Sequence, residues 1–106
     1  MIKRLRCRGM TYRLTFLISA QKEWNELDKS VQEQFRKKLH ALKECPRTEK
    51  NKLSGMKDCY KIKLLSVGYR LVYKVCDERI VIQIIAVGKR DKEKTYEIAM
   101  HRFNAL

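Results

Sequence analysis

The sequence predicts an α+β domain in the order β-α-α-β-β-β-α, with two N-terminal helices packed on a four-stranded, mostly antiparallel sheet and a C-terminal helix. Three observations carry this reading. Tyr60, Ile62 and Leu64 alternate strictly with Lys61 and Lys63, the period-2 pattern of a strand with one buried face. Val31, Phe35, Leu39 and Leu42 recur at helical spacing with Gln, Lys and Arg between them. The run from Arg79 to Val87 is apolar at nearly every position, which suits a central strand covered on both faces.

Taken in order, residues 1–9 form a basic extension, with Lys3, Arg4, Arg6 and Arg8 and no acid, and Met10 offers a second start for a domain over residues 10–106. Tyr12, Leu14 and Phe16 alternate with Arg13 and Thr15, which makes a first strand. Ala20, Trp24 and Leu27 then share one face of a short helix, broken at Asp28-Lys29. Ser30-Val31-Gln32-Glu33 reads as a capping box opening the second helix. That helix is expected to run to about Cys45, because Pro46 disfavours helical backbone in the residue before it. Arg47 to Asp58 is a polar connector anchored by Leu53 and Met56, with Gly55 in a turn. Tyr69 to Val75 returns antiparallel to the Lys61 strand, so Arg70 enters beside Lys61 and Lys63. Gly88 ends the central strand and delivers Lys89 and Arg90 to the sheet's end; Tyr96, Ala99, Phe103 and Leu106 then mark a last helix, expected to be mobile.

The charge balance narrows the partners. Twenty-five Lys and Arg against twelve Asp and Glu leave a formal charge of +13 on 106 residues. An excess of that size implies an anionic partner: nucleic acid, a ribonucleoprotein or a membrane surface. No stretch approaches the roughly 20 apolar residues of a membrane span, so the expectation is a soluble, cytoplasmic protein. Cys7, Cys45, Cys59 and Cys76 contain no C-x-x-C pair and the two histidines stand far apart, which argues against a zinc site. Reduced thiols are the expected state.

Familiar catalytic sets are missing from the sequence. It has no G-x-S-x-G, no Walker loop and no H-E-x-x-H, and a paired-histidine site is disfavoured with only His40 and His101 available. Both histidines read as solvent-facing helix residues, while Trp24, Tyr60, Tyr69 and Tyr73 read as packing residues. If the chain is an enzyme, its chemistry must come from lysine, arginine and tyrosine.

Four segments carry a resemblance. Asn51-Lys52-Leu53-Ser54-Gly55-Met56, Cys59-Tyr60-Lys61-Ile62-Lys63-Leu64, Gly68-Tyr69-Arg70-Leu71-Val72-Tyr73 and Val87-Gly88-Lys89-Arg90 resemble the RelE toxins of bacterial toxin–antitoxin pairs. The resemblance runs from about Met10 to the C-terminus and implies a RelE-like microbial ribonuclease fold. It also implies a metal-independent messenger-RNA endoribonuclease without cofactor, cutting at the ribosomal A site, silenced by a RelB-type antitoxin and meeting DNA only through the antitoxin complex. By the same resemblance Lys61 and Lys63 activate the ribose 2′-hydroxyl and bind the phosphate, and Arg70 stabilises the transition state. Arg90 stands beside the leaving oxygen and Tyr96 orients the nucleotide, with Lys52, Lys74 and Lys89 as accessory RNA contacts. Ser54 is a departure, since the well-known member of the family carries an arginine at the matching position.

Attack of a 2′-oxygen on the adjacent phosphorus needs a base, neutralisation of the phosphorane and help for the departing 5′-oxygen. A free lysine, with a pKa of about 10.4, is a poor base at neutral pH. Neighbouring cations lower that value and a bound phosphate raises it. Arginine, above about 12, is a weak proton donor and acts mainly by stabilising charge. Such a site depends on substrate held in line, and orientation can contribute roughly 7–11 kcal/mol. The rival reading is a non-catalytic basic module that docks on ribosomal or other RNA, since exposed strand lysines often only solvate a sheet face.

Overall fold

The structure, a computed structural model, describes residues 11–89 and 94–106. The basic extension over residues 1–9 and the candidate Arg90 lie outside the described residues. The elements are β1 (Arg13–Phe16), α1 (Ile18–Asn25), α2 (Lys29–Leu42), a 3₁₀ turn (Glu49–Asn51), β2 (Cys59–Leu64), β3 (Tyr69–Cys76), β4 (Val81–Lys89) and α3 (Lys94–Asn104). The expected order of helices and strands is met. The sheet runs β1-β4-β3-β2, with β1 parallel to β4 and the other two pairings antiparallel.

The sheet buries both faces. On one, Trp24 of α1 and Val31, Phe35 and Leu39 of α2 pack over Tyr60, Ile62, Leu71, Tyr73, Ile82 and Ile84. On the other, α3 sets Ala99 against Cys59, Val72, Ile85 and Ala86, with Met56 from the connector closing the cluster. Tyr60 and Tyr73 stack at 5.6 Å inside the first layer, and Trp24 lies between Phe16 and Phe35.

A β-bulge sets which side chains of β4 face which layer. Val72 pairs with Ala86 and Tyr73 with Ile84, leaving Ile85 as the extra residue. Ile84 and Val87 therefore face α1 and α2, while Ile85 and Ala86 face α3. Beyond the bulge Gly88 sits opposite Arg70 on the α3 side, where a Cβ would come 3.4 Å from Thr95 Oγ1. The missing side chain lets the start of α3 approach the sheet closely.

Several local expectations are corrected. The capping box does not form: α2 begins at Lys29, the Asp28 carbonyl accepts the N–H groups of Val31 and Gln32, and no side chain caps the helix. Gln32 Nε2 instead donates to the Trp24 carbonyl at 2.8 Å, tying α2 to the end of α1. The helix stops at Leu42 rather than near Cys45, where the Lys43 carbonyl accepts the Tyr12 N–H and draws the chain to β1. Arg79 and Ile80 belong to the turn before β4, with Ile80 at φ 52, so the strand starts two residues late. Cys45 is disulfide-bonded, against the expectation of reduced thiols, whereas Cys59 and Cys76 are free.

The connector is fixed by Arg47. Its guanidinium donates to Asp58 at 2.8 Å, to Asp77 at 2.7 Å and to the Tyr60 hydroxyl at 3.3 Å, so the ends of β2 and β3 share one cation. Burial alone would lower its pKa, and the hydrogen bonds to Asp58, Tyr60 and Asp77 outweigh that and hold it well above the ordinary value. Tyr73 Oη adds a buried hydrogen bond to the Pro46 carbonyl at 2.7 Å.

Candidate active site

The β2–β3 hairpin carries the site. Tyr60, Ile62 and Leu64 are buried on one face, so the intervening Lys61 and Lys63 must face the α3 side. Lys63 pairs with Arg70 across the strands and Lys61 with Val72, which places all three cations on that face. Gly68, at φ 70 in the connecting turn, donates its N–H to the Leu64 carbonyl at 2.8 Å and fixes this register. Lys61 and Arg70 are half-buried and Lys63 is exposed.

Tyr96 descends from α3 onto the same cluster. Its ring centroid lies 5.9 Å from Lys61 Nζ and 5.3 Å from Arg70 Cζ, within cation–π range of both. The ring also packs on the second core cluster, so the two readings of Tyr96, core residue and site residue, describe one placement. Among the described residues, no ion pair engages Lys61, Lys63, Lys74, Lys89 or Lys52; the four pairs there join Arg36 to Glu33, Arg47 to Asp58 and Asp77, and Arg102 to Glu23. The face is strongly cationic. It offers two lysine ammonium groups and a planar guanidinium fork suited to a tetrahedral or trigonal-bipyramidal phosphorus centre.

The accessory candidates divide. Lys74 lies on the same face but at the far end of the hairpin, opposite Cys59 and 5.6 Å from the Phe103 ring. Lys89 points to the other face at the end of β4, above Tyr69 at 5.8 Å. Lys52 belongs to the connector, bridging Tyr60 along the outer edge of β2. Ser54 lines an open cleft with Lys52, Leu53 and Phe103. The structure thus brings together Lys61, Lys63, Arg70 and Tyr96, and it spreads Lys52, Lys74 and Lys89 around them. Cys59, under the same helix, is no nucleophile: burial pushes its thiol up to about 12. His40 and His101 are exposed, as expected.

Sequence reasoning missed what holds α3 in place. Arg102 forms a two-pronged pair with Glu23, at 3.0 and 2.8 Å, and also donates to the Ile85 carbonyl at 2.8 Å. The last helix, expected to be mobile, is anchored near its C-terminal end. No local pattern signals a pair formed 79 residues apart.

Comparison with known proteins agrees with this architecture. Residues 14–93 match the family model of the ParE toxin of type II toxin–antitoxin systems, parDE. The chain is 54% identical over 93 residues to the mRNA interferase toxin RelE of Escherichia coli K12, a match covering 88% of this chain and 98% of that protein. Its fold is similar to that of a mutant E. coli RelE in the free state, with a TM-score of 0.81 and 53% identity over 88% of this chain and 98% of the other. It is also similar to a chain of the intact E. coli RelBE toxin–antitoxin complex, with a TM-score of 0.73 and 56% identity over 76% and 99% of the two chains.

Proposed function

Because the chain belongs to the RelE toxins, within the ParE-toxin family of type II toxin–antitoxin systems, we propose that it is an mRNA interferase, an endoribonuclease that inhibits translation by cutting messenger RNA in the ribosomal A site. One observation carries the reading: Lys61, Lys63 and Arg70 share one face of the hairpin beneath the Tyr96 ring, with no ion pair to the two lysines among the described residues.

The reaction is attack of a ribose 2′-oxygen on the adjacent phosphorus, with the P–O5′ bond breaking. The departing 5′-oxygen takes up a proton from solvent to become a 5′-hydroxyl, and the new P–O2′ bond closes a 2′,3′-cyclic phosphate, which water can open to a 3′-phosphate. Lys61 and Lys63 receive the scissile phosphate and the 2′-hydroxyl, and the proton from that hydroxyl passes to a lysine amine. Arg70 stabilises the negative charge on the phosphorane oxygens. Arg90, outside the described residues, is assigned to the departing 5′-oxygen on the family resemblance alone. Tyr96 orients the nucleotide whose phosphate lies below it, while Lys52, Lys74 and Lys89 attract the flanking backbone. Tight orientation of the messenger, of the kind a ribosome provides, compensates for the lack of a strong acid–base pair.

The antitoxin is a RelB-type protein: a relative of this chain forms a RelBE complex, and a basic face of this kind suits an acidic partner. Any DNA contact runs through that complex, and the site of action is the cytoplasm, where ribosomes are. The domain proper spans residues 10–106, and residues 1–9 add non-specific attraction to RNA.

The test is primer extension on mRNA in programmed ribosomes with wild type and a Lys61→Ala/Lys63→Ala/Arg70→Ala variant. Discrete A-site cuts from wild type alone establish the enzyme and its cluster together. Retained ribosome binding without cuts in either protein would leave the non-catalytic binder.

A further inference from the structure

The outer edge of β4 is only half covered by a strand. β1 pairs with Val81 to Ile84, and Leu17 N–H closes the pairing at the Ile84 carbonyl. Past the bulge at Ile85 the strand continues to Lys89 with no strand on that side among the described residues. Backbone groups along such an edge need partners. Two side chains supply them. Glu23 Oε1 accepts the Val87 N–H at 3.2 Å, and Arg102 Nη1 donates to the Ile85 carbonyl at 2.8 Å. The same two side chains are joined by Arg102 Nη1 to Glu23 Oε1 at 3.0 Å and Nη2 to Oε2 at 2.8 Å. A carboxylate from α1 and a guanidinium from α3 together stand in for the missing strand, one accepting and one donating.

This arrangement fixes more than an edge. The apolar contacts of α3, through Ala99, Ile98 and Phe103, are non-directional and would permit sliding or rotation on the sheet. A helix of 11 residues does not hold its own shape in water, so its register depends on what it docks against. The planar fork of Arg102 supplies direction, because its three hydrogen bonds are met only at one position of the helix. Tyr96 lies six residues earlier on the same helix, about 9 Å along its axis at 1.5 Å per residue.

We propose that Glu23 and Arg102 are positioning residues for the cleavage reaction, setting the register of α3 so that the Tyr96 ring stands over Lys61 and Arg70. Neither touches substrate; both act through Tyr96. This rests on the mRNA interferase reading for its kinetic consequence and on geometry alone for its structural one.

Two readouts separate those parts. The first is the single-turnover cleavage rate in programmed ribosomes for wild type, Glu23→Ala, Arg102→Ala, Tyr96→Ala and Glu23→Ala/Tyr96→Ala. The expected result is a loss of at least about tenfold in each of the first two variants, with ribosome affinity held within about threefold. Glu23→Ala should have no further effect once Tyr96 is gone. Arg102→Lys, which keeps charge and stem but cannot make the fork, should recover part of the rate and covers the case in which an alanine variant does not fold. The second readout is the ¹⁹F spectrum of the free protein with 3-fluorotyrosine at its five tyrosines, the Tyr96 line assigned with Tyr96→Phe. Arg102→Lys should shift that line and leave the Tyr60 and Tyr73 lines in place. Equal losses with and without Tyr96, or an unmoved Tyr96 line, would overturn the proposal. Absence of cleavage by wild type would instead defeat the enzymatic reading and leave the ¹⁹F result to decide the positioning.

Discussion

Lys63 and Arg70 are direct cross-strand partners, two like charges on facing positions of β2 and β3. Such a pair of like charges directly opposite one another is destabilising. A fold retains it where an anion is to be bound. Lys63→Gln is therefore expected to raise the thermal midpoint slightly while lowering messenger cleavage by at least about tenfold, the range of a lost charge stabiliser or proton acceptor. Scanning calorimetry and single-turnover cleavage check the two halves together. A variant that is less stable and fully active would separate Lys63 from the site.

Tyr96 spans Lys61 and Arg70 at 5.9 and 5.3 Å, so its ring, with its negative face, is the feature that the cluster meets. Replacement by Phe keeps that ring, and replacement by Leu keeps only bulk. Cleavage rates should fall in the order wild type, Tyr96→Phe, Tyr96→Leu, with Leu about tenfold or more below Phe. Equal rates for Phe and Leu would show that only packing matters at this position.

The cation face should also be visible in the salt dependence of binding. Each lysine that neutralises a phosphate contributes close to one unit to the slope of log K against log salt. Lys61→Gln and Lys63→Gln are each expected to reduce the slope for ribosome or RNA binding by about 1. Filter binding over a salt series measures this. Variants with weaker binding but an unchanged slope would mean that the lysines do not meet phosphate.

The fold was readable where one local period dominates. Tyr60, Ile62 and Leu64 alternate because β2 has one buried face, and Phe35 and Leu39 recur because α2 lies on the sheet. Lys61, Lys63 and Arg70 were placed on one face by that alternation together with a short hairpin turn, and the register agrees. Tyr96 read as both core residue and candidate site residue because its ring packs on the second cluster and also faces Lys61 and Arg70. Long-range pairing and changes of backbone phase stayed hidden. The bulge at Ile85 cannot be seen in a run that is apolar at nearly every position, since no polar residue marks the change of face. Ser30 to Glu33 has the letters of a capping box, but Asp28 already occupies the start of α2. Arg47 and Arg102 look like two more surface cations until the chain brings Asp58, Asp77 and Glu23 to them.

The buried thiol gives a test in alkali. Burial pushes Cys59 up to about 12 from its ordinary 9.0, with Asp58 and Cys76 adding to the rise and Lys74 opposing it. In the unfolded chain the same thiol ionises near its ordinary value, so between about pH 9 and 12 the native state holds a proton that the unfolded state has lost. Native protein then binds more protons, and stability falls as pH rises through this window, having been fully present below it. Burial raises the Tyr73 phenol as well, in the same direction. Cys59→Ala should flatten the decline in urea midpoint from about pH 9 upwards relative to wild type, although it lowers stability at neutral pH through the small cavity left behind. Parallel curves for the two proteins would refute the assignment. Iodoacetamide labelling supplies a second check at neutral pH: the half-buried Cys76 should be alkylated first, and Cys59 only as fast as the protein opens.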